Sequence, residues 1–464
     1  PTRRYMYDPE YAWEERDAIE KKVQELSDDG LTELVKIDWL NEEKLLKDVD
    51  DVDKVAKYFR EKGVDCLFFP HTNFGCEEVV GMLARKMDVP VLLWGPRDPA
   101  PTANCAVRQT DIQCGLFASS KALQRYGVKF TYIENCDIDS PIFAKGYRDF
   151  LAVAQVVKTF RNLRIGVILP RPKPFLTVMF NEGELLEKFG IEIVPMNAEQ
   201  IVRRARLILG MEDTWPGGMR AAIDEDQQKV DAALAEEIFQ DYMAKEDWTE
   251  AGGEEGARKI ATMEAIILGE AKKHHCDFMA IECWASMTAP MGVRLCHMFG
   301  DLTERGLPVA CETDVLGAVT NALVGAAVRG ENPSFFADLT IRHPENDNAE
   351  LLWHCGPFAQ SLRRDTEGKR RVSNYCGYYE IKHGDVTVTR FECAGNGVYK
   401  LFSAEGRGVE GPSTNGNYLW VEVDNWPKWE RKFIEGPYIH HVVGVHGNVS
   451  HILKEACKYI GVQF

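Results

Sequence analysis

Short apolar runs that give way to a polar loop and then a helix recur through much of this 464-residue chain, and that alternation restricts the fold more than any other feature. The runs VDCLFFP (64–70), PVLLWGP (90–96) and VKFTYIE (128–134) are interleaved with helical patterns over 10–27, 51–62, 76–87 and 111–126. A second set, LRIGVILP (163–170), IEIVPM (191–196), CDFMAIECW (276–284) and VACE (309–312), repeats the rhythm around a helix at 181–189. Strands that are apolar on both faces and separated by helices build parallel sheets covered on either side. From residue 342 the texture changes: NYCGYYEIKHGDVTVTRFEC (374–393) and GNYLWVEV (416–423) alternate as antiparallel strands do, with His383-Gly384-Asp385 as a turn. The expected architecture is α/β, with two doubly wound Rossmann-like domains over 1–162 and 163–341, followed by a β-rich domain over 342–464.

Composition narrows the partners. A net charge of −17 and a pI near 5.2 argue against nucleic acid or an anionic membrane as partner, since both demand basic patches. The 13 cysteines are scattered without paired CxxC spacing and read as reduced core thiols, which points to the cytoplasm. No export signal is read, and the longest apolar stretches, such as 315–328, are too short and interrupted to span a bilayer.

Parallel sheets leave their ligand crevice at the carboxyl ends of the strands, so polar residues there are the candidates for chemistry. Glu312 follows the strand Val309–Cys311 in PVACETDVLGAVT (308–320), with Thr313 or Asp314 placed to cap the next helix. Asp338 closes the apolar run in NPSFFADLTI (332–341). Alone, either carboxylate would only favour a helix N-terminus or open a loop; delivered together to one crevice, the two are able to share a metal ion. His440 and His441, in EGPYIHHVVGVHGNVSHILKEACKYIGVQF (435–464), precede an apolar strand and offer neutral nitrogen to a cation otherwise held by hard oxygens. Successive strand residues point to opposite faces, so only one of the two rings is expected at such a site.

Three polar loops follow strands and are candidates for ligand contacts: His71 to Gly75, Arg171 to Phe175, and Glu282-Cys283-Trp284. Within them His71, Asn73 and Arg171 are polar contacts, and Trp284 is either a flat apolar platform or a core aromatic. His354, in WHCG (353–356), lines the pocket or is satisfied within its sheet.

These pieces resemble the L-fucose isomerase family, with the L-arabinose isomerases as more distant relatives. Ala310-Cys311-Glu312-Thr313-Asp314-Val315-Leu316 is similar to the family's Ala-Thr-Glu-Asn-Asp-Val-Leu type motif, and Phe336-Ala337-Asp338 to its Phe-Ser-Asp type motif. His440-His441-Val442-Val443-Gly444 looks like its C-terminal Asn-His-Gly-Ala-Val type motif. Each is short, but their order, spacing and position relative to the chain end are jointly specific. The resemblance implies that the β-rich domain is an antiparallel β-barrel. It also implies a divalent ion, usually Mn2+, on Glu312, Asp338 and His441, with the two carboxylates moving protons; His354 stays open between lining the pocket, a fourth ligand as in the arabinose-specific relatives, and a histidine satisfied within its sheet. Finally it implies a homohexamer with inter-subunit active sites, in which the loop carrying His71 and Asn73 caps a neighbour's pocket.

The implied reaction interconverts an open-chain aldose and its ketose, moving one proton between C1 and C2 and another between O1 and O2. Carbon acidity is the obstacle, met by a Lewis-acidic ion that stabilises the ene-diolate and by carboxylates that shuttle protons. The sugar stays open between an L-fucose type, an L-arabinose type, and one with an anionic group at C6 such as a sulfonate, for which Arg171, Lys173 or Arg108 are the obvious partners. A non-catalytic sugar-binding protein is the alternative from another class, though such a protein has no reason to gather two carboxylates and a histidine on one metal.

Overall fold

The computed structural model describes residues 9–101, 108–213 and 224–464, and chain packing separates two compact units, 1–158 and 159–464. Among the described residues no helix is long and apolar enough to cross a membrane.

The first unit is built on three parallel strands in the order β1 (Leu67–Pro70), β2 (Val91–Trp94) and β3 (Thr131–Tyr132). The run 128–134 thus contributes only two residues to the sheet. Helices pack on these strands because their apolar stripes demand it: Val52–Glu61 buries Val52, Val55 and Ala56, and Glu77–Met87 buries Val79, Val80, Leu83 and Ala84 against Leu67, Val91 and Leu93. The loop after β1 is held tightly. The helix Ile112–Arg125 approaches it so closely that a Cβ on Gly115 would sit 1.8 Å from the Phe74 carbonyl oxygen, and only glycine fits there.

The second unit combines a parallel sheet with a ring of antiparallel strands. The parallel sheet runs β5 (Glu192–Met196), β4 (Arg164–Ile168), β6 (Phe278–Ile281), β7 (Val309–Ala310). Asn181 and Asn197 accept hydrogen bonds at the starts of the helices Glu182–Phe189 and Ala198–Ile208, so local capping fixes where both helices begin. The ring comprises β8 (Phe335–Arg342), β9 (Ala349–His354), β10 (Asp385–Cys393), β11 (Tyr399–Val409), β12 (Asn417–Glu422) and β13 (His441–His446). In space the order is β9, β8, β13, β10, β11, β12, and β12 pairs back to β9. Every pairing in the circuit is antiparallel, and Phe335, Ala337, Leu352, Val386, Val388, Leu419, Val421 and Val442 join one apolar core.

The helix Val315–Ala327 joins the two sheets of this unit. It is buried nearly all round, packing on β6 and β7 of the parallel sheet and on β10 and β13 of the ring. Its first turn is therefore where residues from both sheets meet. The sequence pattern puts Asp338 at the end of an α/β strand; it lies instead within β8, a full strand of the ring, because FFADLTI continues extended through Arg342 and pairs on both sides.

Candidate active site

Glu312 stands in the turn between β7 and the buried helix, and its backbone pays no heed to ordinary preference: Glu312 and Thr313 both take positive φ, 51° and 59°. Non-glycine residues hold that conformation only where surrounding structure imposes it, and such positions cluster at functional sites. The turn aims the carboxyl at two imidazoles, with Oε2 3.4 Å from His354 Nε2 and 3.8 Å from His441 Nε2. Burial alone would raise the Glu312 carboxyl, but the facing rings of His354 and His441 outweigh it and hold the group below its ordinary range.

Ring register supplies the other two groups. Asp338 and His441 are direct partners across the antiparallel β8–β13 pair, so their side chains project from one face, and Asp338 Oδ1 lies 3.4 Å from His441 Nε2. Both of the paired histidines approach Asp338, but only His441 also faces Glu312. His440 lies just before β13 rather than inside it, so strict alternation does not apply, and its Nε2 is 4.0 Å from Asp338 Oδ1. His440 is half-exposed, whereas His441 is buried.

Two oxygens here have no hydrogen-bond partner although they are buried: Glu312 Oε2 and Asp338 Oδ1. Unsatisfied buried carboxylate oxygens are costly, and two of them converging on one histidine nitrogen are what a cation site requires. His441 is prepared for that role from behind. Its Nδ1 donates to Asp314 Oδ2 at 2.9 Å, which leaves the Nε2 lone pair facing the carboxylates. Asp314 in turn caps the helix through Gly317 N–H (2.9 Å) and forms a two-pronged pair with Arg390. Burial would raise the Asp314 carboxyl, but the Arg390 guanidinium and His441 hold it far below the usual carboxylate range. Arg390 also donates to Glu392 at 2.7 and 3.0 Å, and all of these groups are buried.

His354 is held in the opposite sense. The Cys355 backbone N–H donates to its Nδ1 at 3.0 Å, so Nδ1 is the acceptor and the ring proton sits on Nε2, facing Glu312. Burial disfavours the cationic ring, but Cys355, Glu312 and Asp338 outweigh it and pull the His354 pKa above the ordinary histidine value; the Cys355 N–H opposes that pull, because a second proton would have to enter on the Nδ1 it occupies.

The other residues singled out in the sequence fall as follows. Trp284 lies beyond β6 in a turn organised by buried Glu282, which accepts from the N–H groups of Trp284, Ala285 and Ser286 at 2.6, 2.9 and 2.8 Å. The indole is half-exposed and meets the Phe175 ring edge-on at 5.0 Å. Phe175 also lies 6.1 Å from the rings of both His440 and His441, so the loop 171–175 borders the carboxylates. Arg171 secures that loop: its Nη1 donates to the carbonyls of Pro172 and Phe175 at 3.1 and 2.7 Å. Lys173 is exposed on the same loop. In the first unit, His71 and Asn73 are buried, Asn73 Oδ1 accepts from Gly75 N–H at 3.0 Å, and burial pushes the His71 pKa down to about 3. Arg108 pairs on the surface with Asp111 at 2.6 Å. Arg390 and Glu392 carry no mark in the sequence, because TVTRFEC reads as a strand with outward polar residues.

Comparison with known proteins places the chain among sugar isomerases. A family model described as "Fucose/sulfoquinovose isomerase, N-terminal domain" matches residues 1–161, and one described as "L-fucose isomerase, C-terminal domain" matches 375–464. Proteins named sulfoquinovose isomerase are similar along most of the chain. The one from Priestia megaterium is 21% identical over 91% of this chain and 90% of its own length. The one from Alkalicoccus urumqiensis is 22% identical over 84% and 83%.

The Arg390–Asp314–His441 chain has a measurable consequence. Arg390→Met leaves Asp314 buried without its counter-charge, and the protein is expected to lose about 3–5 kcal/mol of stability in urea denaturation at neutral pH. Because Asp314 has a depressed folded-state pKa, its share of stability is present above the unfolded value near 3.9 and is lost as pH falls toward the folded one. The acid-side loss of stability should therefore be shallower in the variant. Equal stability and equal acid sensitivity in the two proteins would contradict the pairing.

Proposed function

The chain belongs to the L-fucose isomerase family, and on that premise we propose that Glu312, Asp338 and His441 are the metal-binding and proton-moving centre of an aldose–ketose isomerase. The observation that carries this reading is the pair of buried, unsatisfied oxygens, Glu312 Oε2 and Asp338 Oδ1, facing a histidine whose tautomer is fixed from behind. The donor set of two carboxylates and one neutral imidazole suits a divalent cation of manganese type. When bound, such an ion supplies Lewis-acid stabilisation to the adjacent oxygens of the open-chain sugar as negative charge develops on them.

The remaining work belongs to the side chains. Glu312 and Asp338 enter the crevice from different elements, a turn and a ring strand, and so flank a substrate from two directions. One carboxylate takes the proton at C1 or C2 and the other serves the oxygens, a division of general acid–base labour worth on the order of 10²–10⁴-fold. His354 carries its proton on Nε2, which lies 3.4 Å from Glu312 Oε2 without hydrogen-bonding to it, and so is left to donate to a substrate oxygen rather than serve as a fourth ligand. Trp284 and Phe175 offer an apolar wall to the carbon face of the sugar.

For the substrate, we favour an aldose with an anionic group at C6. The relatives' names support this choice, as does exposed Lys173 on the loop bordering the carboxylates. We further propose a homohexamer in which the first unit of one subunit caps the pocket of another, with the His71–Gly75 loop shaping that capping surface from beneath, since His71 and Asn73 are buried in their own unit. That loop serves no carboxylate cluster of its own unit among the described residues.

Three outcomes are expected. Glu312→Gln and Asp338→Asn each lose isomerase activity by at least about 10²–10⁴-fold while keeping the wild-type far-ultraviolet spectrum and melting behaviour; appreciable turnover in either variant sinks the mechanism. Across a panel of aldoses assayed with Mn2+, a C6-sulfonated sugar should exceed its neutral counterpart in kcat/KM by roughly tenfold or more, the size of one charge-assisted contact. Lys173→Ala should shrink that preference, and a neutral sugar turned over faster than the sulfonated one refutes it. Lastly, a His71→Ala, Asn73→Ala double variant and a Glu312→Gln variant, each inactive, should regain part of the activity when dissociated and reassembled together. Mixed oligomers that form and stay inactive would rule out the shared pocket.

A further inference from the structure

Sulfur gathers beside the carboxylate pocket in a way that the isomerase chemistry does not use. Cys283 Sγ lies 3.2 Å from Cys311 Sγ, Cys311 is in side-chain contact with Cys355, Cys355 with Cys296, and Cys296 with Cys376. All five are free thiols, four of them buried and Cys355 partly so. Their positions in the sequence show no metal-site spacing; strands, loops and the start of the helix Cys296–Glu304 in the second unit bring them together.

Within this run, Cys311 Sγ, Cys355 Sγ and a ring nitrogen of His354 lie within 4.8 Å of one another. Nδ1 is the His354 nitrogen beside the sulfur, 3.4 Å from Cys355 Sγ; its lone pair accepts the Cys355 backbone N–H at 3.0 Å, a hydrogen bond that a cation on Nδ1 has to displace. Tetrahedral metal–thiolate bonds of about 2.3 Å set sulfurs about 3.8 Å apart, so the trio needs to contract by no more than about an ångström. We propose that Cys311, Cys355 and His354 Nδ1 form a binding site for a thiophilic divalent cation such as Zn2+ or Cd2+, separate in its ligand chemistry from the oxygen-rich pocket it adjoins. As each metal–sulfur bond forms, the thiol proton leaves to solvent, and no oxidant takes part. Two thiolates neutralise the ion, which lets it occupy a buried place where a hard, hydrated cation would lose too much solvation.

His354 belongs to both neighbourhoods. Its Nε2 faces Glu312 while its Nδ1 faces Cys355, so a cation drawn to the sulfur side draws the ring away from Glu312. Occupation of the thiolate site therefore inhibits isomerisation without displacing the ion on Glu312, Asp338 and His441. The inhibition rests on the isomerase reading above; the binding does not.

The test titrates manganese-loaded protein with Cd2+, read by sulfur-to-metal charge-transfer absorbance in the ultraviolet and by bound Mn2+, and takes the 113Cd NMR spectrum on diamagnetic magnesium-loaded protein. Wild-type protein is expected to take up Cd2+ with a thiolate absorbance band while keeping its Mn2+, and to give a thiolate-range 113Cd resonance in the magnesium form. Its isomerase rate should fall roughly tenfold or more, the usual cost of losing an outer-sphere histidine partner, and excess Mn2+ should not restore it. Cys355→Ser, which keeps the backbone N–H on His354, should lose the band and the Cd2+ sensitivity and retain the Mn2+-supported rate. Cadmium that expels manganese and shows no thiolate band overturns the site on wild-type protein alone, whatever becomes of the variant. A band that survives Cys355→Ser overturns the ligand assignment, and a band with an unchanged rate overturns the coupling through His354.

Discussion

The chain from Arg390 through Asp314 to His441 is the interaction on which the rest of the candidate site depends. Four buried groups, Arg390, Glu392, Asp314 and His441, form one hydrogen-bonded series, and none could be ionised at acceptable cost without its neighbours. The series does three things at once. It starts the central buried helix through Gly317, ties that helix to β10 of the ring, and fixes the proton of His441 on Nδ1. Fold and site chemistry therefore share a single electrostatic element, and a change that weakens it alters both.

Two further constraints complete the geometry. Antiparallel register makes Asp338 and His441 neighbours on one face of the ring, while the positive-φ turn at Glu312 and Thr313 swings the second carboxylate toward them from the parallel sheet. Strain of that kind, of order 1–3 kcal/mol per residue, is sustained because the surrounding helix, strand and loops are buried and leave no alternative path. The two histidines near Glu312 are set in contrasting states by contacts on their far sides. A carboxylate behind His441 makes it a lone-pair donor at Nε2, and a backbone N–H behind His354 makes it a proton donor at the same atom.

Much of this was legible in the sequence, and the illegible parts share a cause. Strand-and-helix alternation carries the parallel α/β sheets of both units, and Glu312 stands in the strand-to-helix turn its motif suggests. Asp338 and His441 could be named but not located, because FFADLTI reads equally well as the end of a parallel strand or the middle of an antiparallel one. Register across a closed ring is a long-range property, and nothing within eight residues encodes it. Arg390 was invisible for a related reason: an arginine in TVTRFEC looks solvent-facing until Asp314, far away in the chain, is packed against it. The thiol cluster was invisible as well, since its members come from separate loops, strands and a helix start with no shared spacing.

The central claim is that one imidazole, His441 and not His354, meets the metal. Electron spin-echo envelope spectroscopy of Mn2+ bound to the protein reads directly coordinated nitrogen. Nitrogen modulation from a single histidine is expected in wild-type protein, with its loss in His441→Ala and its persistence in His354→Ala. Modulation that survives His441→Ala or disappears in His354→Ala would contradict that claim.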